Sequence, residues 1–315
     1  LMSARQLADL IAYLKTHTSI GDPNGFSFSD KPDRIDIRFG DQPIATYLKQ
    51  HDTLTRRALV SVKTPGGIQV TRDFPPRASD DIDHAHMHPG IWISYGDFHG
   101  NDYWRLKSAV RFDGFVEPLK GDRTRGHFAV RNQYMSQDGK QTVCTEISRY
   151  EYRRVADGFL LLIDAVYQSK EHDFYFGDQE ESGLAVRVAS PLRVEGGKGT
   201  ILNDRGERNG SEFWGKEAKW FDYHGPIDGR EVGIMVVPDP RNARPSWLHA
   251  RDYGVVVTNP FPKQPKERRE PYVKTWVKKG ETFRLRYAVL IHETPQGRTF
   301  DRAAAYRNAL EAMKP

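Results

Sequence analysis

At 315 residues, with a net charge of +5 from 47 basic and 42 acidic side chains, the chain is long enough for one large domain or two ordinary ones. Apolar residues make up 38% and aromatics 11%, enough for a core with many polar faces left over. The charges are interspersed, with no basic run interleaved with aromatics, which argues against nucleic acid; no apolar run of about 18 residues spans a membrane; and the lone Cys144 excludes an internal disulfide and any Cys-based zinc or haem motif.

The first segment, LMSARQLADLIAYLKTH, repeats Leu7, Leu10, Ile11 and Leu14 at helical spacing, with Ser3 placed as N-cap. It carries an acidic residue and no small-residue cleavage site after an apolar run, so it is not a signal peptide. From residue 25 the pattern changes to strands. DRIDIRFG (33–40) alternates Ile35, Ile37 and Phe39 against charged neighbours. Further strands are expected at 42–49, 57–63, 67–72, 91–95, 102–107, 109–117, 126–136, 141–154 and 158–169. The series continues at 173–177, 183–189, 199–203, 218–223, 229–237, 254–258, 272–279 and 281–292. Turn signals separate them, such as PGG at 65–67, QDGK at 137–140 and KKGE at 278–281. KQPKERREPYVK (263–274) reads as a solvated loop. FDRAAAYRNALEAM (300–313) closes the chain as a helix. Short strands without a βαβ rhythm predict an all-β fold: a large antiparallel β-sandwich with a short helix at each end. The parse is a terminal helix over 1–19 and a single domain over 20–315.

Four of the eleven histidines lie in DHAHMHPGIWISYGDFHGNDYW (83–104). If HAHMH is extended, His84, His86 and His88 share one face, with alternate Cα atoms about 6.5–7 Å apart. Two imidazoles then suit one transition metal (Zn, Cu or Fe), with a third ligand from His99, His249 or Glu181. The alternative uses are proton transfer near neutral pH and a loop that bonds its own backbone. In GDQEESG (177–183), Glu181 is the stronger candidate carboxylate, because Gly183 lets another group approach; Asp178 and Glu180 read as an exposed acidic turn. In HARDYG (249–254), His249, Arg251 and Tyr253 alternate onto one face, suited to sugar hydroxyls or a carboxylate, unless Arg251 simply pairs with Asp252. Asn259 sits at a strand end, where binding loops are built. Trp104 and Trp214, beside polar turns, are the candidate ligand-stacking rings; Trp92 and Trp220 read as sandwich interior.

Several of these strings, namely TRDFPP (71–76), 83–104, GDQEESGLAVRVASPL (177–192), EFWGKEAKWFDYHGPIDGREVGIMVVPDP (212–240) and HARDYGVVVTNPF (249–261), resemble a bacterial family of unknown function often labelled PmoA. That resemblance spans roughly residues 30 to 295 and implies a layout like the supersandwich of galactose mutarotase-like proteins, in carbohydrate-handling systems. QLADLIAYLK is similar to the last helix of c-type cytochrome domains. This implies an N-terminal haem domain in a longer parent, and a periplasmic or extracellular location. The function expected is a carbohydrate-active protein, an enzyme using His84, His86, His88 and Glu181 for acid–base chemistry, with Trp104, Trp214, His249, Arg251 and Asn259 binding the sugar. A non-catalytic carbohydrate-binding module and a His-ligated metal-dependent oxidoreductase are the alternatives.

Overall fold

The alternating strings form strands wherever a buried face rewards the period of two. In the computed structural model, which describes residues 2, 3, 5, 6, 19–261 and 271–314, the chain runs β1 (Ile20–Gly21), β2 (Phe26–Asp30), β3 (Arg34–Phe39), β4 (Gln42–Leu48), β5 (Ala58–Val60) and β6 (Ile91–Tyr95). Then come β7 (Val110–Gly121), β8 (Arg125–Met135), β9 (Thr142–Val155), β10 (Gly158–Gln168), β11 (Phe174–Gly177) and β12 (Ser182–Arg187). The rest are β13 (Thr200–Asn203), β14 (Phe221–Ile227), β15 (Arg230–Pro238), β16 (Trp247–Arg251), β17 (Val255–Asn259), β18 (Lys274–Val277) and β19 (Thr282–Pro295).

All pairings between these strands are antiparallel, in a nine-stranded sheet (β1-β2-β3-β4-β5-β6-β12-β17-β16), an eight-stranded sheet (β13-β14-β15-β19-β10-β9-β8-β7) and a ribbon of β11 and β18. The expected all-β sandwich is therefore what forms. The main core lies between the large sheets, where Phe26, Tyr47, Ile93 and Val186 of the first meet Phe128, Tyr150, Ile163 and Val289 of the second. That interior also encloses an ion pair: the Arg57 guanidinium binds Glu146, with Tyr134 Oη at 3.2 Å from the same guanidinium.

Each sheet has a second, outer apolar face. The C-terminal helix Arg302–Ala312 covers that of the eight-stranded sheet, laying Ala309 on Met235, Val237 and Leu290. Asp301 caps this helix, accepting from Ala304 N at 2.9 Å. The outer face of the nine-stranded sheet carries Leu48, Val60, Trp92, Ala185, Val255 and Val257, and loops cover it.

Some expected elements differ. The segment 102–107 is not a strand: Asp102 accepts from Lys107 N at 3.0 Å and, through its side chain, from Arg105 N at 2.9 Å, so it winds the chain into turns. The segment 67–72 makes only isolated bridges, Lys63–Gln69 and Thr71–Val188. The helix Asn209–Phe213 and the strand Phe26–Asp30 were not expected. Most of the expected N-terminal helix, with Leu7, Leu10, Ile11 and Leu14, lies outside the described residues. So does much of 263–274.

Candidate functional site

Register fixes what the outer face of the nine-stranded sheet presents. Trp92 pairs with Ala185, Ala185 with Val257, and Val257 with His249, so these four form one row across the strands. At about 4.8 Å per strand the row spans roughly 14 Å. A parallel row runs Arg187–Val255–Arg251. Strands β5 and β6 are neighbours through the single pair Leu59–Ile91, and the chain between them, residues 61–90, arches out and back. That arch carries the histidines.

HAHMH is not an extended strand. Residues 83–87 form a turn, in which His84 O accepts from Met87 N at 3.0 Å and from His88 N at 2.9 Å. His84 takes φ = 47° to start it. The relevant spacing is thus four, and it stacks the His84 and His88 rings at 4.8 Å and 13°. The stack continues in both directions, from His88 onto Trp92 at 5.4 Å and from His84 onto Tyr253 at 5.5 Å. Trp104 meets His88 edge-on at 5.8 Å. His86 projects from the turn, exposed, and takes no part in the stack.

Three arginines hold this arrangement. Arg72 donates to the carbonyls of Asp81 at 2.9 Å, Asp83 at 2.8 Å and His88 at 2.9 Å. Arg187 pairs with the Asp83 carboxylate and lies 5.1 Å from the centre of the Tyr253 ring. Arg56 donates to Tyr103 O at 2.9 Å, Trp104 O at 2.6 Å and Met87 O. A buried guanidinium needs such partners, and satisfying it from several loops pins those loops together. None of the three was singled out as a site residue. The available signal was charge inside apolar runs, as in LTRRALV and GLAVRV.

His88 is 3% exposed, and neither of its ring nitrogens has a hydrogen-bond partner. Burial, followed by the nearby charges of His84, Arg56, Arg187 and Arg72, pushes its pKa well below the ordinary imidazole value, so the ring is neutral.

The other end of the row belongs to His249, Arg251, Glu180 and Trp214. Glu180 lies 3.8 Å from His249 Nδ1 and 3.7 Å from Arg251 Nη2. Arg251 covers the Trp214 ring at 5.0 Å, and that ring is 6.1 Å from His249. Burial first, and Arg251 second, push His249 down to about 3, so it too is neutral. The expected alternative of an Arg251–Asp252 pair does not form: Arg251 turns to Glu180, and Asp252 accepts from Gly210 N at 2.8 Å. Glu181 is bound by Arg105 at 2.6 Å, which also contacts Asp102 at 3.3 Å. Asn259 is buried, and its amide is committed, donating to Gln179 O at 2.6 Å and Glu180 O at 3.1 Å. It shapes the carboxylate loop from beneath. Gly183 has φ = 112°, and a Cβ there would lie 2.1 Å from Thr258 O, so the strand that bears this loop tolerates only glycine.

Tyr253 joins the two ends. Burial raises its pKa, Arg187 and Arg251 lower it, and Asp83 and Glu181 raise it, so charges from all three sequence clusters reach one phenol. The net effect keeps it protonated. The structure therefore brings His84, His88, Glu181, His249, Arg251, Trp104 and Trp214 onto one outer face, with Asn259 beneath. It does not bring the imidazoles to a point: His88 and His249 stand at opposite ends of a row. Trp104 is 2% exposed and packs with Trp92 rather than standing open to a ligand. Trp92 is buried as expected, but on this outer face instead of between the sheets. Among the described residues no three His, Cys, Asp or Glu side chains group as a metal site. The stacked faces of His84 and His88 explain part of this, because parallel rings do not aim their lone pairs at one ion.

A family model described as a family of unknown function (DUF6807) matches residues 34–306, and the chain belongs to that family. No curated protein matches it. Among solved structures, the chain is similar to a putative mutarotase (YeaD) from Salmonella typhimurium, at 9% identity and TM-score 0.35, covering 90% of this chain and all (100%) of that one. It is similar to a galactose mutarotase-like protein from Lactobacillus casei, at 8% identity and TM-score 0.35, covering 85% and 100%. It is also similar to the GH36 α-galactosidase AgaA from Geobacillus stearothermophilus, at 10% identity and TM-score 0.36, covering 80% of this chain and 40% of that one.

Proposed function

We propose that this DUF6807 chain is a carbohydrate-active protein whose sugar lies on the outer face of the nine-stranded sheet, between the histidine turn and Arg251. The observation that carries this reading is His88: a buried neutral ring with two unpartnered nitrogens, among aromatic faces and guanidinium groups. A buried polar atom without a partner costs about 1–3 kcal/mol. A ligand that supplies hydroxyls to those nitrogens and a C–H face to the half-buried Tyr253 ring recovers that cost, and a sugar supplies both.

The same groups provide for proton transfer. Neutral His88 accepts a hydrogen bond from a hydroxyl. The Tyr253 phenol, kept protonated, donates one. Glu181, positioned by Arg105, is the carboxylate that takes a proton from the sugar. Arg251 and Glu180 hold the far side of the ring. His84 closes the stack, and His86 is left outside the chemistry. An exported location, with a haem domain preceding residue 20, belongs to the same proposal and rests on the N-terminal resemblance alone.

Ligand-observed NMR with glucose, galactose, mannose, xylose and their uronic acids tests the reading. At least one sugar shows saturation transfer and, on longer incubation, exchange at a ring carbon or anomeric centre. His88→Leu abolishes the saturation transfer, while Glu181→Gln keeps it and abolishes the exchange. Saturation transfer unchanged in His88→Leu would overturn the site.

A further inference from the structure

The β11–β18 ribbon is apolar on one face and aromatic on the other. Phe174, Phe176 and Val277 enter the core. Tyr175 and Trp276, directly opposed across the ribbon, point the other way with ring centres 5.0 Å apart. Trp276 is 50% exposed and nearby Tyr272 48%. The other five tryptophans are buried or half-buried. His99 meets Tyr175 at 5.1 Å and Trp276 at 6.1 Å, and stacks on His172 at 5.9 Å. Lys274 Nζ lies 4.3 Å from the centre of the Tyr175 ring, and the Tyr272 hydroxyl bonds to Asp97. Large rings left in water beside hydrogen-bonding side chains mark a contact surface.

Position decides what it contacts. The ribbon runs directly into the loop that carries Glu181: β11 ends at Gly177, whose N–H donates to Asp97 O at 2.9 Å, and Glu181 O accepts from Gly96 N at 2.7 Å. Three residues separate Gly177 from Glu181, so their Cα atoms are at most about 14 Å apart along the chain. The exposed rings of the ribbon therefore lie along the chain from the Glu181 loop, beside the proposed sugar site.

We propose that the exposed face of this ribbon is a glycan-binding ridge adjoining the sugar site proposed above (the hollow of that reading), so that the ligand is an oligosaccharide or polysaccharide rather than a free monosaccharide. Trp276 and Tyr272 stack on successive rings, and Asp97, His99 and Lys274 bond their hydroxyls. This rests on the sugar reading of the hollow and extends it.

Affinity electrophoresis in gels containing barley β-glucan, xylan, galactomannan or polygalacturonate tests the ridge, while monosaccharide NMR reads the hollow separately. At least one polymer retards the wild type. Trp276→Ala weakens the apparent affinity at least about tenfold, as loss of an interface tryptophan does; Trp276→Phe, which keeps a ring, retains most of it; and monosaccharide saturation transfer is unchanged in both. Retardation of Trp276→Ala equal to wild type overturns the ridge, as does wild type that no polymer retards. If monosaccharide signals sensitive to His88→Leu survive either outcome, the hollow stands and only the ridge falls.

Discussion

Replacing His88 by leucine separates the proposed ligand recognition from stability, and the two are expected to change in opposite directions. The imidazole has two buried nitrogens without partners, each worth about 1–3 kcal/mol of unfavourable desolvation. Leucine is similar in volume, carries no polar atom and meets Trp92 and Trp104. It forfeits ring stacking worth about 0.5–1.5 kcal/mol. The net expectation is a gain of roughly 1–5 kcal/mol at neutral pH, seen as a Tm rise of roughly 2–8 °C for a chain of this length. The pH dependence sharpens the test. Folded His88 resists protonation, whereas the unfolded ring takes a proton near pH 6.5. The unfolded state therefore binds more protons below that pH, and the wild type loses stability there by up to about 1.4 kcal/mol per pH unit. The variant lacks this term, so its advantage grows by roughly 1 kcal/mol between pH 7 and pH 5.5. Urea unfolding at both pH values, followed by circular dichroism, measures it. A variant no more stable than wild type, with a gap that does not widen in acid, would refute the reasoning by showing that the nitrogens are satisfied.

Other substitutions probe other links. Arg57→Ala leaves Glu146 charged and unpaired inside the sandwich and should cost about 3–5 kcal/mol, whereas the double variant Arg57→Met, Glu146→Leu should recover most of that loss; a urea double-mutant cycle measures the coupling. Burial pushes the Asp222 carboxyl up, but His292, His224 and Arg302 outweigh it and hold it well below the usual carboxylate range. Its stabilising contribution is therefore complete above about pH 4 and lost as pH falls further. Asp222→Asn should be less stable at pH 7, and the difference should shrink below pH 4 in thermal melts. Gly183→Ala forces a side chain against Thr258 O at positive φ and should lower stability by more than about 1 kcal/mol in the same melts.

The alternating strands were legible because each buries an apolar face. Ile91, Ile93 and Tyr95 enter the main core as their spacing requires. The histidine alternation misled for a related reason. A period of two among polar residues has no buried face to enforce it, so backbone bonding within 83–88 wound the segment into a turn instead. That His84, His88, Glu181, His249 and Arg251 lie over one sheet is not derivable from the residues, because strand order decides it. The arginine clamps were hidden for a similar cause: Arg56, Arg72 and Arg187 read as ordinary charges until the loops they join are seen together. Exposure, not spacing, distinguishes Trp276 from the other tryptophans, so its position on the surface is not legible in the sequence.

The arch over residues 61–90 departs from β5 and returns as β6, strands joined by the single pair Leu59–Ile91, and it touches the sheet through the isolated bridge Thr71–Val188. Such an excursion is topologically a cassette: it contributes the stacked histidines without contributing to the order of the strands. Changes within it can alter the stacked histidines while leaving the strand order intact, and Arg187, which stays behind on β12, is the group to which the Asp83 carboxylate of the arch is anchored.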